Sequence, residues 1–165
     1  MNASDRAHMR ATLLLARRGL GRTAPNPAVG CILVHEGRVV GRGWTQPGGR
    51  PHAETEALRR AGDAARGATA FVSLEPCSHQ GVTGPCADAL VAAGIRRCVI
   101  ACEDPDPRVS GRGIARLRAA GVQVEIGLLR EEAKALNSGF ILHRLEARPS
   151  VTLKLATTLD GKIAL

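Results

Sequence analysis

At 165 residues, with 44% apolar and 23% charged positions, the chain has the size and balance of one soluble globular domain able to bury a core. No apolar run approaches the ~18 residues that a membrane span requires, so no membrane partner is expected. The formal charge of +8 invites a nucleic-acid partner, but only three of the 23 basic residues are lysines and the arginines are scattered in ones and twos. Aromatic residues amount to 2% with no tyrosine, so the stacking platforms of single-strand binders are nearly absent and no nucleic acid is expected.

The first 20 residues hold one short apolar stretch, TLLLA, bounded by arginines, without the longer apolar region and small-residue cleavage site of a secretory signal. A cytoplasmic location is expected. The odd cysteine count of five agrees, because a reducing compartment disfavours disulfides. Residues 5–20 place Met9, Leu13, Leu14 and Leu20 at helical spacing. A turn-rich loop, RTAPNPAVG, follows. AVGCILV (28–34) and RVVGRGW (38–44) form a predicted hairpin around His35-Glu36-Gly37. After TQPGGRP, the segment HAETEALRRAG (52–62) reads as a helix with His52 in its first turn. ATAFVSL (68–74) is a predicted strand and PCADALVAAG (85–94) a helix. RRCVIAC (96–102) is a strand, GIARLRAAG (113–121) a helix, and VQVEIG (122–127) a strand. LREEAKALNSGFILHRLEA (129–147) is one longer predicted helix. Cys31 and Cys98 lie in strand-like runs and read as buried small hydrophobes. Helices alternating with short apolar strands imply an α/β architecture with a mixed sheet between helical layers. The final RPSVTLKLATTLDGKIAL breaks the pattern at Pro149 and adds a strand-like VTLKLA.

The chemistry concentrates in two places. His52-Ala53-Glu54 opens one predicted helix, and LEPCSHQGVTGPC carries Cys77 and Cys86 with eight residues between them, Cys86 in the first turn of the next helix. If both helices pack side by side on one sheet, their N-termini bring an imidazole and two thiolates to a point favoured for negative charge. Three protein ligands leave a tetrahedral zinc one position for water, the arrangement of a catalytic site. Glu54, two residues past the histidine, would face the water or the substrate as a proton carrier. H-x-E followed by P-C is part of the known signature of zinc nucleobase deaminases. Two other readings stay open on residues alone: buried thiols, or a closed structural zinc site with His79 as fourth ligand.

TAPNPAVGCILV, PHAE, LEPCSHQGVTGPC, DPDPRVSGRG and RPSVTLKLATTLDGKIA, in this order, resemble the riboflavin-biosynthesis diaminohydroxyphosphoribosylaminopyrimidine deaminases. These are usually the N-terminal half of a bifunctional deaminase–reductase. The resemblance implies a cytidine-deaminase-like three-layer α/β/α sandwich, with zinc held by His52, Cys77 and Cys86 and with Glu54 as proton shuttle. It implies hydrolytic loss, as ammonia, of the 2-amino group of a phosphorylated small-molecule pyrimidine, 2,5-diamino-6-ribosylamino-4(3H)-pyrimidinone 5′-phosphate. Asn26 and His79 match positions that face substrate in such proteins, and a homo-oligomer is expected. Residues 1–146 would be the deaminase domain. Residues 147–165 would be a linker and the first strand of a reductase domain that is not present, so the chain is expected to deaminate but not reduce. The chain departs from the pattern at Thr45, where a histidine is common, at Val82, where a basic residue is common, and at Gly84, where a second proline is common. The loss at Val82 removes an expected phosphate contact. Arg50 and Arg108, in Gly/Pro loops near the site, are the expected replacements.

Overall fold

The structure, a computed structural model, describes residues 1–80, 84–106 and 109–163. Among the described residues, six α-helices and five strands follow one another: α1 (Ala3–Ala16), β1 (Gly30–His35), β2 (Arg38–Trp44), α2 (Ala53–Ala61), β3 (Thr69–Val72), α3 (Cys86–Ala92), β4 (Arg97–Ile100), α4 (Arg112–Ala119), β5 (Gln123–Ile126), α5 (Arg130–Leu136) and α6 (Ser138–Glu146). The sheet runs β2-β1-β3-β4-β5. β1 is antiparallel to both β2 and β3, whereas β3, β4 and β5 are parallel. The mixed sheet expected from the sequence is therefore formed. Its parallel half is built from two crossovers, β3-α3-β4 and β4-α4-β5, which place α3 and α4 side by side on one face. α2 packs next to α3 there, and α1 meets α5 in the other layer.

Local chemistry explains the elements. Asn2 and Asp5 form a reciprocal capping box at the start of α1. Glu36 (φ 50°) and Gly37 (φ 74°) both take left-handed backbone, the two-residue hairpin turn whose twist suits its strands. β1 is buried through Gly30–Val34 because helices cover both of its faces, and Cys31 and Cys98 are fully buried as expected. Gly43 in β2 lies against the backbone of α2, where an added Cβ would overlap the Ala53 carbonyl oxygen. That close approach seats the first turn of α2 directly on the sheet.

Two expectations change. The single helix over 129–147 is two, α5 and α6, which meet at Asn137 (φ −103°, ψ 22°). The Asn137 side chain is turned into the protein. Its Oδ1 accepts from Ala28 N at 2.9 Å and its Nδ2 donates to Ala28 O at 2.9 Å, so it satisfies both backbone polar groups of the buried Ala28 ahead of β1. VTLKLA does not form a strand. Residues 147–163 are exposed, with one isolated bridge between Thr157 and Ile163, because neither sheet edge takes them up as a partner. Among the described residues no helix is long and apolar enough to cross a membrane.

Replacing Asn137 with alanine leaves the Ala28 peptide without partners in the interior. The expected cost is about 2–3 kcal/mol, a fall in Tm of roughly 5–10 °C in a thermal unfolding experiment. An unchanged Tm would mean that the clamp contributes nothing.

Candidate metal centre and active site

The site forms where the parallel strands end and helices begin. His52 is not within the first turn of α2 but caps it, in extended conformation (φ −69°, ψ 160°), and its imidazole makes no capping hydrogen bond. The ring is thereby free to turn toward the cysteines. The chain leaving β3 carries Cys77, and Cys86 is the first residue of α3. His52 Nδ1 lies 3.3 Å from Cys86 Sγ and 3.7 Å from Cys77 Sγ, and the Cys86 amide donates to Cys77 Sγ at 3.3 Å. These three residues are the one metal-compatible group of His, Cys, Asp and Glu side chains among the described residues, with ligand atoms all within 4.8 Å of each other. His79 stands outside the group, so the closed four-ligand site is not what the fold assembles.

The donor set fits zinc. Bonds of ~2.0–2.3 Å in a tetrahedron put neighbouring ligand atoms about 3.5 Å apart, and the two observed N···S separations bracket that figure. Hydrogen bonding from Cys86, aided by His52 and opposed by burial, pulls the Cys77 thiol down to about 4. The bond to Cys77 and burial push the Cys86 thiol up, while the bond to Cys77 raises His52. One thiolate is thus preformed beside a proton-holding partner. Nε2 of His52 is buried and has no hydrogen-bond partner among the described residues.

Glu54 is 4% exposed in the first turn of α2, and burial together with the Cys77 charge pushes its carboxyl up to about 7. With His52 and Cys77 it lines one cleft, which also takes in Asn26, Arg50 and His79. The cleft therefore collects most of the residues singled out in the sequence. Arg108 and Val82 lie outside the described residues. Asn26 has a structural task as well, since its Nδ2 donates to Gly49 O at 3.2 Å and ties the loop before β1 to the loop that delivers Arg50 and His52. Thr45 lines the cleft too, and its hydroxyl accepts from Val29 N at 3.0 Å.

Four cleft residues escaped the sequence reading: Glu75, Asp104, Asp106 and Arg144. Glu75, one residue before Pro76-Cys77, is a remote cap. Its carboxylate accepts from the amides of Gly111, Gly113 and Ile114 at the start of α4 and from Asp104. Gly113 permits this approach, because an added Cβ would overlap the Pro76 carbonyl. Asp104 Oδ1 accepts from Asp106 N at 2.8 Å. Arg144 on α6 pairs with Asp106 at 3.7 Å and lies over the Phe140 ring. The cue in the sequence was the DPDP run, whose spaced carboxylates sit just beyond β4.

Residues 2–102 match the cytidine and deoxycytidylate deaminase zinc-binding region. The chain belongs to this family. Among curated relatives, the riboflavin biosynthesis protein RibD of Escherichia coli (strain K12) is 51% identical over 161 residues, 98% of this chain and 44% of its own length. Among solved structures, an Acinetobacter baumannii RibD superposes with a TM-score of 0.90 at 48% identity, over 96% of this chain and 45% of that one. A diaminohydroxyphosphoribosylaminopyrimidine deaminase/5-amino-6-(5-phosphoribosylamino)uracil reductase from Thermotoga maritima superposes at 0.92 with 44% identity, over 98% and 47%. This deaminase-family chain therefore spans a little under half the length of these relatives. The zinc expected from the sequence agrees with the family, and the expected sandwich agrees with the folds it resembles.

Zinc must displace the proton that the raised Cys86 thiol retains, so binding releases at least one proton per ion and affinity rises with pH. Competition titrations at pH 6, 7 and 8 should show the zinc dissociation constant falling about tenfold or more per pH unit. A pH-independent constant would contradict the protonation pattern of the site.

Proposed function

We propose that this chain is a zinc-dependent hydrolytic deaminase that removes the 2-amino group of 2,5-diamino-6-ribosylamino-4(3H)-pyrimidinone 5′-phosphate. The observation that carries this reading is the convergence of His52, Cys77 and Cys86, two of which, His52 and Cys77, line a cleft together with the buried Glu54. A structural zinc site has no use for an ionisable carboxyl enclosed beside it. The Thermotoga maritima relative at 44% identity bears the name of a deaminase of this chemistry, and the Escherichia coli relative at 51% that of a riboflavin biosynthesis protein.

Zinc held by His52, Cys77 and Cys86 supplies Lewis-acid activation of water. The remaining steps belong to the chain. Glu54 accepts the proton that water loses on adding to C2 of the pyrimidine and passes it to the adjacent ring nitrogen, then carries the remaining hydroxyl proton to the departing exocyclic nitrogen. C2 becomes a carbonyl carbon and ammonia leaves. The cleft walls exclude bulk solvent from that exchange. Asn26, whose Oδ1 makes no hydrogen bond to a described residue, and His79 supply polar contacts to the ring. Arg50, which lines the cleft, supplies positive charge to the substrate phosphate, and Arg108, outside the described residues, is read from the sequence as a second candidate for that contact. Residues 147–165 are read as a linker and a segment that would become a strand only when paired within a reductase unit, a reading supported by the exposed Val151, Leu153 and Leu155; a homo-oligomer is proposed from the family resemblance alone.

Glu54→Gln should keep zinc at wild-type stoichiometry and lower kcat by about 10²–10⁴-fold, read by metal analysis together with mass spectrometry of a product about 1 Da heavier than substrate. Retained turnover would remove Glu54 from the reaction. Arg50→Ala should raise KM for the phosphorylated pyrimidine about tenfold. An unchanged KM would take Arg50 away from the phosphate.

A further inference from the structure

The cleft is electrostatically uneven. One wall holds Glu75, Asp104 and Asp106, and Arg144 is already matched to Asp106. Burial, reinforced by Asp106 and Glu75, keeps the Asp104 carboxyl up at about 6, a sign of how crowded with negative charge that wall is. A phosphomonoester, which carries close to two negative charges, is repelled there, and with Arg144 paired to Asp106 the cleft's other arginine, Arg50, leaves it only partly matched.

The opposite end differs. His79 belongs to two hollows: the catalytic cleft and an adjoining depression lined by Ser78, Arg112 and Arg116. Arg112 opens α4 and Arg116 lies one turn further on, so both project from the same side of the helix. Arg116 is committed to the fold. Its Nε meets Asp88 Oδ1 at 2.7 Å and a terminal nitrogen donates to the Ser78 carbonyl at 2.9 Å, which ties the segment after Cys77 to α4. The Arg112 side chain makes no hydrogen bond or ion pair with any described residue. The amides at the start of α4 are taken up by Glu75, so the charge this depression offers a ligand is the Arg112 guanidinium itself. With Arg116 offset by Asp88, the depression carries one net positive charge at the mouth of the catalytic cleft.

We infer that Arg112 is a specificity-determining residue that binds the phosphomonoester end of the substrate in the depression beside Ser78 and His79. This rests on the substrate class proposed above. The pyrimidine lies over the metal centre, the chain of the substrate passes His79, and the phosphate meets a planar guanidinium whose donors suit two of its oxygens. Arg50 and Arg112 together give the dianion two cations. The depression is shallow and open, so the gain is that of a solvent-accessible pair and reads as selectivity for the phosphorylated over the unphosphorylated compound.

The test compares zinc-loaded wild type, Arg112→Ala and Arg112→Lys on the phosphorylated pyrimidine and on its dephosphorylated form. In Arg112→Ala the ratio of kcat/KM between the two compounds should fall about tenfold, through KM for the phosphorylated one, and Arg112→Lys should recover part of it. A ratio equal to wild type overturns the assignment. If wild type turns over neither compound, the substrate reading fails, and calorimetric titration with ribose 5-phosphate decides the depression separately. Binding weakened about tenfold by Arg112→Ala upholds an anion site there, and equal binding by both proteins removes it.

Discussion

The amide of Cys86 donating to the sulfur of Cys77 is the contact on which the site depends. It joins the end of one crossover segment to the start of its helix, so the geometry of two metal-binding sulfurs is fixed by backbone rather than by flexible side chains. It also places a positive helix end against a thiolate, which is part of why Cys77 is ionised far below the ordinary thiol range. The imidazole reaches the pair from a different helix, and it can do so because His52 caps α2 without spending its side chain on the cap. Gly43 lets α2 lie close on the sheet, and that seating brings His52 into range and carries Glu54 into the interior.

A second set of contacts shapes the cleft around this centre. Asn137, Thr45 and Ser73 each satisfy a backbone group of residues 28–30, where the chain enters β1. The loop carrying Asn26 is thereby held from three elements far apart in sequence. Glu75 does the equivalent for the loop after β4 by gathering four amides onto one carboxylate. Such buried, fully used polar groups cost desolvation, and they return a loop that holds one conformation. Rigidity of this kind is what a site needs when a carboxyl must sit within reach of a reacting carbon and remain dry.

Much of this was legible in the residues. The sheet strands announced themselves as β-branched runs, and H-A-E with P-C in order located the metal centre, because those residue types recur together for a chemical reason. What stayed hidden was tertiary. Asn137 looked like an ordinary helix residue in a periodic run, and only the buried Ala28 peptide explains why the helix breaks there. Glu75 looked like one acidic residue in a loop, since its amide partners lie 29 to 39 positions away. VTLKLA has the composition of a strand, yet composition does not supply an edge to pair with. Arg144 and Phe140 reach the cleft through the placement of α6, which no local pattern encodes.

The position of α6 also bears on where this domain ends. The match to the deaminase family stops at residue 102, after β4, and up to there the chain holds the metal ligands and Glu54. Asp104, Asp106, Val109, Phe140 and Arg144, which complete the cleft, come afterwards. The metal-compatible group and one side of the cleft, with Asn26, Arg50 and His79, are therefore written in the first stretch of the chain, and the rest of the cleft wall in the second. A chain cut after β4 would keep the residues of the metal-compatible group and Glu54 but lose one wall of the cleft beside them.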